Sequence, residues 1–166
     1  MKKFLIVGLL LTSPAAFASP MYARFTGHFT VDAANCSAQF AVSRSVDISL
    51  VMKNGLNQIL FVGTETTPHG DHTTQMLLTE GQGAVRMPGT TIERDGNATI
   101  TWLTVIHGQT LVSSEVRACP GRCPTLPARS NSKVTLELTQ AGMVIESSVS
   151  NSRGQTYQSS CRLIRK

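Results

Sequence analysis

Aromatic and charged residues are scarce in this sequence. Of its 166 residues, 5% are aromatic and 15% are charged, and there is a single tryptophan. The formal charge of +5 is distributed along the chain, and the aromatic rings are too few to act with it as base-stacking platforms. We therefore expect no nucleic-acid partner.

Long apolar runs are missing as well. The run at residues 4–11 is too short to span a bilayer, and no later stretch approaches ~20 apolar residues, so we expect no transmembrane segment in the mature protein. The run follows the basic start Met1-Lys2-Lys3 and precedes Ala16-Phe17-Ala18, which has the form of a signal-peptidase site. These features predict a cleaved signal peptide at residues 1–18, of bacterial type, and a periplasmic or secreted product.

Removing the first 18 of the 166 residues leaves 148, which is the length of one ordinary domain. Loss of Lys2 and Lys3 lowers the formal charge from +5 to +3. The sequence thus predicts a single domain over residues 19–166.

Catalytic signatures are absent from the sequence. It has no Gly-x-Ser-x-Gly motif, and no acidic residue lies in an apolar run that would raise its pKa for acid catalysis. The segment His69-Gly70-Asp71-His72 offers two imidazoles and a carboxylate to a metal ion, but it is also typical of a solvated turn. We expect a noncatalytic protein without a cofactor or a bound metal.

The four cysteines are best interpreted as two disulfides, given the predicted export. Cys119 and Cys123 are separated by only three residues and would close a small ring, which leaves Cys36 to pair with Cys161. Zinc binding is the alternative, but a C-x3-C segment without a second close pair is poor zinc spacing.

Alternating apolar and polar residues run through most of the chain and predict short strands. The clearest set is the three-stranded meander at residues 134–164. Further strands are predicted at 23–31, at 46–53 and 57–62 around Asn54-Gly55, at 98–107 and at 110–118, with a hairpin around Glu80-Gly81-Gln82. Residues 32–39 are interpreted as a loop or a helical turn, and residues 64–74 and 119–132 as long loops.

These segments predict an all-β fold: a single-domain antiparallel meander of about ten strands. A meander leaves two exposed edges unless the sheet closes, so we expect an up-and-down β-barrel, with a strongly curved β-sandwich as the alternative. In strand number and order the outline resembles the lipocalin or calycin superfamily. The lipocalin Gly-x-Trp signature is missing, since Gly27 is followed by His28 and Phe29.

Two functions remain open from the sequence, and we favour the first, a carrier that encloses a small apolar ligand. Its predicted ligand-binding residues are Phe25, Phe29, Phe61, Trp102 and Tyr157.

The alternative is a recognition or inhibitor-like module that acts on an envelope or extracellular protein. It would use the Cys119–Cys123 ring with Arg122 at the tip and Arg117 and Arg129 beside it, although the ring could instead only stiffen its loop. A carrier needs an internal void, whereas a surface module does not.

Overall fold

The computed structural model describes residues 20–38, 43–86, 98–119 and 128–166. A short helix, α1 (Pro20–Ala23), precedes ten strands, which are β1 (Gly27–Cys36), β2 (Ser43–Lys53), β3 (Leu56–Thr67), β4 (Gly70–Thr79), β5 (Gly81–Arg86), β6 (Thr99–His107), β7 (Thr110–Ala118), β8 (Arg129–Leu138), β9 (Gly142–Asn151) and β10 (Thr156–Arg165). The predicted all-β meander is confirmed. Within the described ranges, no helix has the length and apolarity needed to cross a membrane.

All ten strands form one antiparallel sheet in the order β4-β3-β2-β1-β10-β9-β8-β7-β6-β5. Every neighbouring pair is consecutive in the chain except β1 and β10, where Phe29 lies opposite Arg165 and Val31 opposite Leu163. The disulfide Cys36–Cys161 joins these two strands. This pairing confirms the predicted bridge between the first and last strands.

Over the described residues the sheet does not close, so the preferred barrel is wrong, and the fold is consistent with the alternative, a strongly curved β-sandwich. Among the residues that the structure describes, β4 and β5 form the two edges of the sheet, and no ladder connects them. Glu80 alone links these two strands, so the edges meet at this residue. A single linking residue is too short for a hairpin, which is why the predicted β4–β5 hairpin is also wrong.

The meeting point of the edges is held by hydrogen bonds to both sides. The backbone amide of Glu80 donates to the carbonyl of Asn57 on β3 at 2.9 Å, whereas Gly81 is already paired with Thr104 on β6. The Thr104 hydroxyl donates to the carbonyl of Thr79 at 2.6 Å. The chain therefore passes from one edge to the other in one step, as strands do at the corners of packed sheets.

Three segments predicted as loops contain strand. The predicted loop at residues 119–132 ends too late, because β8 already begins at Arg129. The predicted loop at residues 64–74 is a hairpin, in which β3 and β4 pair up to Thr67 and Gly70. The Thr67 hydroxyl donates to the Gly70 carbonyl at 2.8 Å, and Gly70 adopts a φ of +116°. Exposed β4 has few apolar residues to reveal its period, but its many threonines favour extended backbone.

The other correction concerns β1. The predicted strand at 23–31 starts too early, because residues 20–23 form α1, and it ends too early, because β1 continues to Cys36. Its last part pairs with β10 after a register shift between Asp32 and Cys36. Pairing with a distant strand thus overrides the weak local preference of this polar segment.

The core lies on the inner face of the curved sheet, which we define as the side shared by Phe29, Leu136 and Leu163. Its fully buried members lie towards one end, which we call the closed end, and are Phe25, Phe29, Ile59, Leu111, Leu136, Met143, Ile145, Cys161 and Leu163. α1 covers this end, with Tyr22 buried in the same cluster. Outside it, the Arg165 guanidinium lies 5.2 Å from the centre of the Phe29 ring.

Candidate functional site

The inner face changes character along the strands. From the closed end outwards, β9 presents Met143, Ile145, Ser147 and Val149, while the residues opposite on β8 are Leu138, Leu136, Val134 and Ser132. On β10, Leu163 and Cys161 give way to Ser159 and Tyr157. Large apolar side chains are thus replaced by small or polar ones, and the end they leave less filled is called the open end.

A cavity of about 280 Å³ occupies the inner face at the open end. It is lined by Met76, Leu77, Leu78, Thr79, Trp102, Ser113, Glu115, Ser132, Lys133, Val134, Ser147, Ser148 and Val149. A smaller cavity of about 100 Å³ adjoins it, and Met76 lines both. Together they reach the lower end of the size range of small-molecule sites, which suits a small ligand.

Trp102 forms one wall of the larger cavity. It lies between Gly83 on β5 and Glu115 on β7 in the register of the sheet, and its indole N–H donates to the Glu80 carbonyl at 3.4 Å. A Cβ atom at position 83 would lie 2.4 Å from Cζ2 of the indole. Glycine is therefore required at this position for the ring to lie against the edge strand.

Two buried hydroxyls lie at the inner limit of the cavity. Thr104 and Ser113 are hydrogen-bonded at 2.8 Å, and the Thr104 hydroxyl also contacts the Thr79 carbonyl. A carbonyl only accepts, so the single Thr104 proton goes to Thr79 and Ser113 must donate to Thr104. Ser113 lines the cavity, so it offers its oxygen there only as an acceptor.

Glu115 provides the carboxylate of the cavity. It lies two residues from Ser113 on the same face of β7 and keeps contact with solvent at the mouth. Partial burial raises the pKa of its carboxyl above the usual value, and the positive charge of nearby Arg117 offsets part of this rise. The cavity thus combines an apolar wall with an acidic group.

The five predicted ligand-binding residues are found in different places. Phe25 and Phe29 are fully buried in the packed core. Phe61 lines the smaller cavity and Trp102 the larger one. Tyr157 lies opposite Val149 at the open end and is 52% exposed.

Sequence reasoning missed several residues of the cavity, among them Met76, Ser113, Glu115 and Ser147. Ser113 and Glu115 alternate on a recognisable strand, so their shared face was predictable. Their position on the inner face was not, because polar residues at alternating positions of an antiparallel strand normally indicate the solvent side. Met76 was missed because it lies on edge strand β4, in which the alternation of apolar and polar residues is weak.

The predicted partner-binding arginines are only partly described. Arg117 lies on the inner face opposite Ser130, whereas Arg129 pairs with Ala118 and belongs to the outer face. Arg122 and Cys123 lie outside the described residues. Cys119 is disulfide-bonded, while its pairing with Cys123 and the role of the ring stay predictions.

The histidine segment is spread over a hairpin. His69 is in the turn, with its amide bonded to the Thr67 hydroxyl at 3.2 Å. Asp71 lies opposite Thr66 and accepts a 2.7 Å hydrogen bond from its hydroxyl, whereas His72 lies opposite Glu65 on the other face of β4. The four described ranges contain no group of three or more metal-ligating side chains.

Comparison of the chain with known protein families, curated proteins and solved structures finds no match. The resemblance to lipocalins stays an expectation from the sequence.

Proposed function

We propose that this protein is a noncatalytic binding protein that holds a small, largely apolar ligand in the cavity at the open end of the sheet. The observation that supports it is the position of the void. The closed end of the inner face is packed, with several side chains fully buried, whereas about 280 Å³ remains beside Trp102 at the open end. Clefts with a mostly apolar lining and a few polar groups are the usual form of small-molecule sites, so this cleft, which is open to solvent beside Val149, is a suitable place for a ligand.

The lining fits such a ligand in shape and polarity. Met76, Leu78, Trp102, Val134 and Val149 supply apolar surface around the space. A few polar groups lie among them, which is the usual composition of small-molecule sites. Four residues of β4, at positions 76–79, line the cavity, and β4 is an edge strand of the described sheet.

The proposal includes export to the periplasm or the exterior. The basic and apolar start of the chain, with its small-x-small site, supports a signal peptide. The disulfide Cys36–Cys161 is compatible with an oxidising compartment. A mature N-terminus at Ser19, read by mass spectrometry of protein recovered from the periplasm or medium, would test this part.

Binding is tested by native mass spectrometry and by the fluorescence of Trp102, which is the only tryptophan of the chain. Protein recovered without denaturation should carry an extra mass that disappears on unfolding. Three probes with one eight-carbon chain, namely 1-octanol, octanoate and n-octylammonium, are then titrated into stripped protein. At least one of them should change the emission of Trp102 and saturate.

Val149→Phe is the variant that should block the site, because this residue lies at the mouth and its larger side chain would enter the void. Val144→Phe is the matched control, since Val144 lies on the same strand but on the outer face. We expect at least a tenfold loss of affinity in the first variant and less than a twofold change in the second. A bare native mass, combined with no saturable response to any probe, would contradict the proposal.

A further inference from the structure

We propose that the polar group of the ligand is a cation, an alkylammonium group bound between Trp102 and Glu115. This inference rests on the proposed binding function of the cavity. It adds the chemical class of the ligand: a small amphipathic amine in its protonated form.

The cross-strand arrangement of Trp102 and Glu115 supports binding of a cation. Glu115 lies directly opposite Trp102 on β6 and opposite Ser132 on β8, all on the inner face. An aromatic face and a carboxylate on adjacent strands offer an ammonium group a cation–π contact and an ion pair together. The indole cannot turn away freely, because its N–H is bonded to Glu80 and its ring lies against Gly83.

The direction of the hydrogen bonds around the cavity also supports binding of a cation. The hydrogens of Trp102 Nε1, Thr104 Oγ1 and Ser113 Oγ all point to protein acceptors. Ser113 and Glu115 therefore present acceptor oxygens along one face of β7. A ligand that donates hydrogen bonds can bind these acceptor oxygens. A carboxylate ligand has only acceptor oxygens of its own and would be repelled by them.

The charge of the cavity lining supports it as well. Glu115 and Lys133 are the charged residues among those that line the larger cavity. Lys133 is opposite Ser114 and Ser148, so its side chain belongs to the outer face of β8. Arg117 neighbours Glu115 on β7 without lining the cavity, and its effect on the pKa of that carboxyl is smaller than the effect of burial.

The test ranks the three eight-carbon probes by the change in Trp102 emission at pH 7.5. We expect n-octylammonium to bind at least tenfold more tightly than 1-octanol, and octanoate to bind more weakly than both. In Glu115→Gln, the ammonium probe should lose at least tenfold in affinity, while 1-octanol changes less than twofold. Glu137→Gln, on the exposed outer face of β8, is the control and should leave all three affinities unchanged.

The affinity for n-octylammonium should also fall as the pH is lowered, because protonation of Glu115 removes the negative charge. The elevated pKa of this carboxyl places the loss at a higher pH than an ordinary glutamate would give. The amine keeps its charge over this range, so the profile reports on the protein. Glu115→Gln should abolish this pH dependence.

Each outcome discriminates between the two proposals. Tighter binding of 1-octanol or octanoate than of n-octylammonium would overturn the cation site and leave the ligand-binding function intact. Preference for n-octylammonium that survives in Glu115→Gln would also overturn it. Failure of all three probes to affect Trp102, combined with a bare native mass, would overturn both proposals.

Discussion

The two ends of the inner face use the same strands in different ways. At the closed end, Leu136, Met143 and Leu163 are fully buried under α1, and each such side chain contributes about 1.5–3 kcal/mol to folding. At the open end, Ser132 and Ser147 occupy equivalent positions of the alternation and leave a cavity. Packing at the closed end stabilises the sheet, and this allows the open end to keep a cavity.

The change between the ends is abrupt. Ile145 on β9 faces Cys161 on β10, and the next inner-face pair towards the open end is Ser147 and Ser159. The hydroxyls of these two serines are hydrogen-bonded at 2.6 Å. These serines satisfy each other's polarity without filling space. The strands pair in the same way at both ends, so the difference between the packed core and the cavity comes from the volume of the side chains.

The largest effect is expected from the bridge at the boundary between the ends. Replacing both Cys36 and Cys161 by alanine removes a disulfide that spans 125 residues. A chain-entropy estimate gives a loss of about 5 kcal/mol in the free energy of unfolding. Urea unfolding under non-reducing conditions measures it, with Ser37→Ala as a neighbouring control expected to change stability by less than about 0.5 kcal/mol. A double variant as stable as the parent would mean that packing alone holds β1 to β10.

The next effect separates the ends directly. Phe29→Ala at the closed end should cost about 4 kcal/mol, because it leaves a cavity in the packed core and removes the ring that Arg165 covers. Val149→Ala at the open end, where the side chain is 39% exposed, should cost less than about 1 kcal/mol. Chemical denaturation of both variants measures the two losses in the free energy of unfolding. Equal losses would show that the open end is packed as tightly as the closed one.

A smaller effect is expected from Gly83→Ala, which tests how the cavity wall is held. The new Cβ would overlap the indole of Trp102, so the ring must move, at a cost of about 1–3 kcal/mol. The emission maximum of Trp102 should shift and the affinity for bound probe should fall. Ala84→Val, on the outer face of the same strand, should do neither. An unchanged emission spectrum in Gly83→Ala would show that the indole does not depend on this glycine.

The smallest effect concerns the charge of Glu115. Burial raises the pKa of this carboxyl in the folded protein above its ordinary value, so folding favours the protonated form and ionisation costs stability as the pH rises through the folded pKa. Glu115→Gln should therefore be more stable at neutral pH, by at most about 0.5 kcal/mol since solvent at the mouth screens the charge. The difference should vanish below the unfolded pKa. Thermal unfolding of both proteins at pH 7.5 and 3.5 checks the sign, and a less stable variant at pH 7.5 would contradict it.

Local patterns predicted the strands with the clearest alternation. The meander of β8, β9 and β10, the hairpin β2–β3 and the strands β6 and β7 are found as predicted, because their apolar period and their turn residues agree. The alternation of apolar and polar residues did not predict β4, which is an exposed edge strand. It also did not predict the end of β1, whose extended backbone depends on pairing with β10. Local patterns also failed at Glu80, because a corner and a hairpin have similar residues.

The candidate site was predicted only in part. Trp102 and Phe61 were chosen as large apolar residues on strands, and both line cavities. Phe25 and Phe29 were chosen for the same reason and are core residues instead. Nothing in their local sequence separates these pairs, since the distinction depends on whether distant strands bring large or small side chains opposite them.

Alternation, turn residues and cysteine spacing are enough to predict that this chain forms β-strands in a meander and that Cys36 meets Cys161, because these signals act over short ranges or leave few choices. The folded arrangement of the strands, in contrast, leaves the sheet open between β4 and β5. It also decided that α1 covers one end and that Ser113 and Glu115 face inwards beside Trp102. These features depend on the curvature of ten strands together, which no single segment encodes.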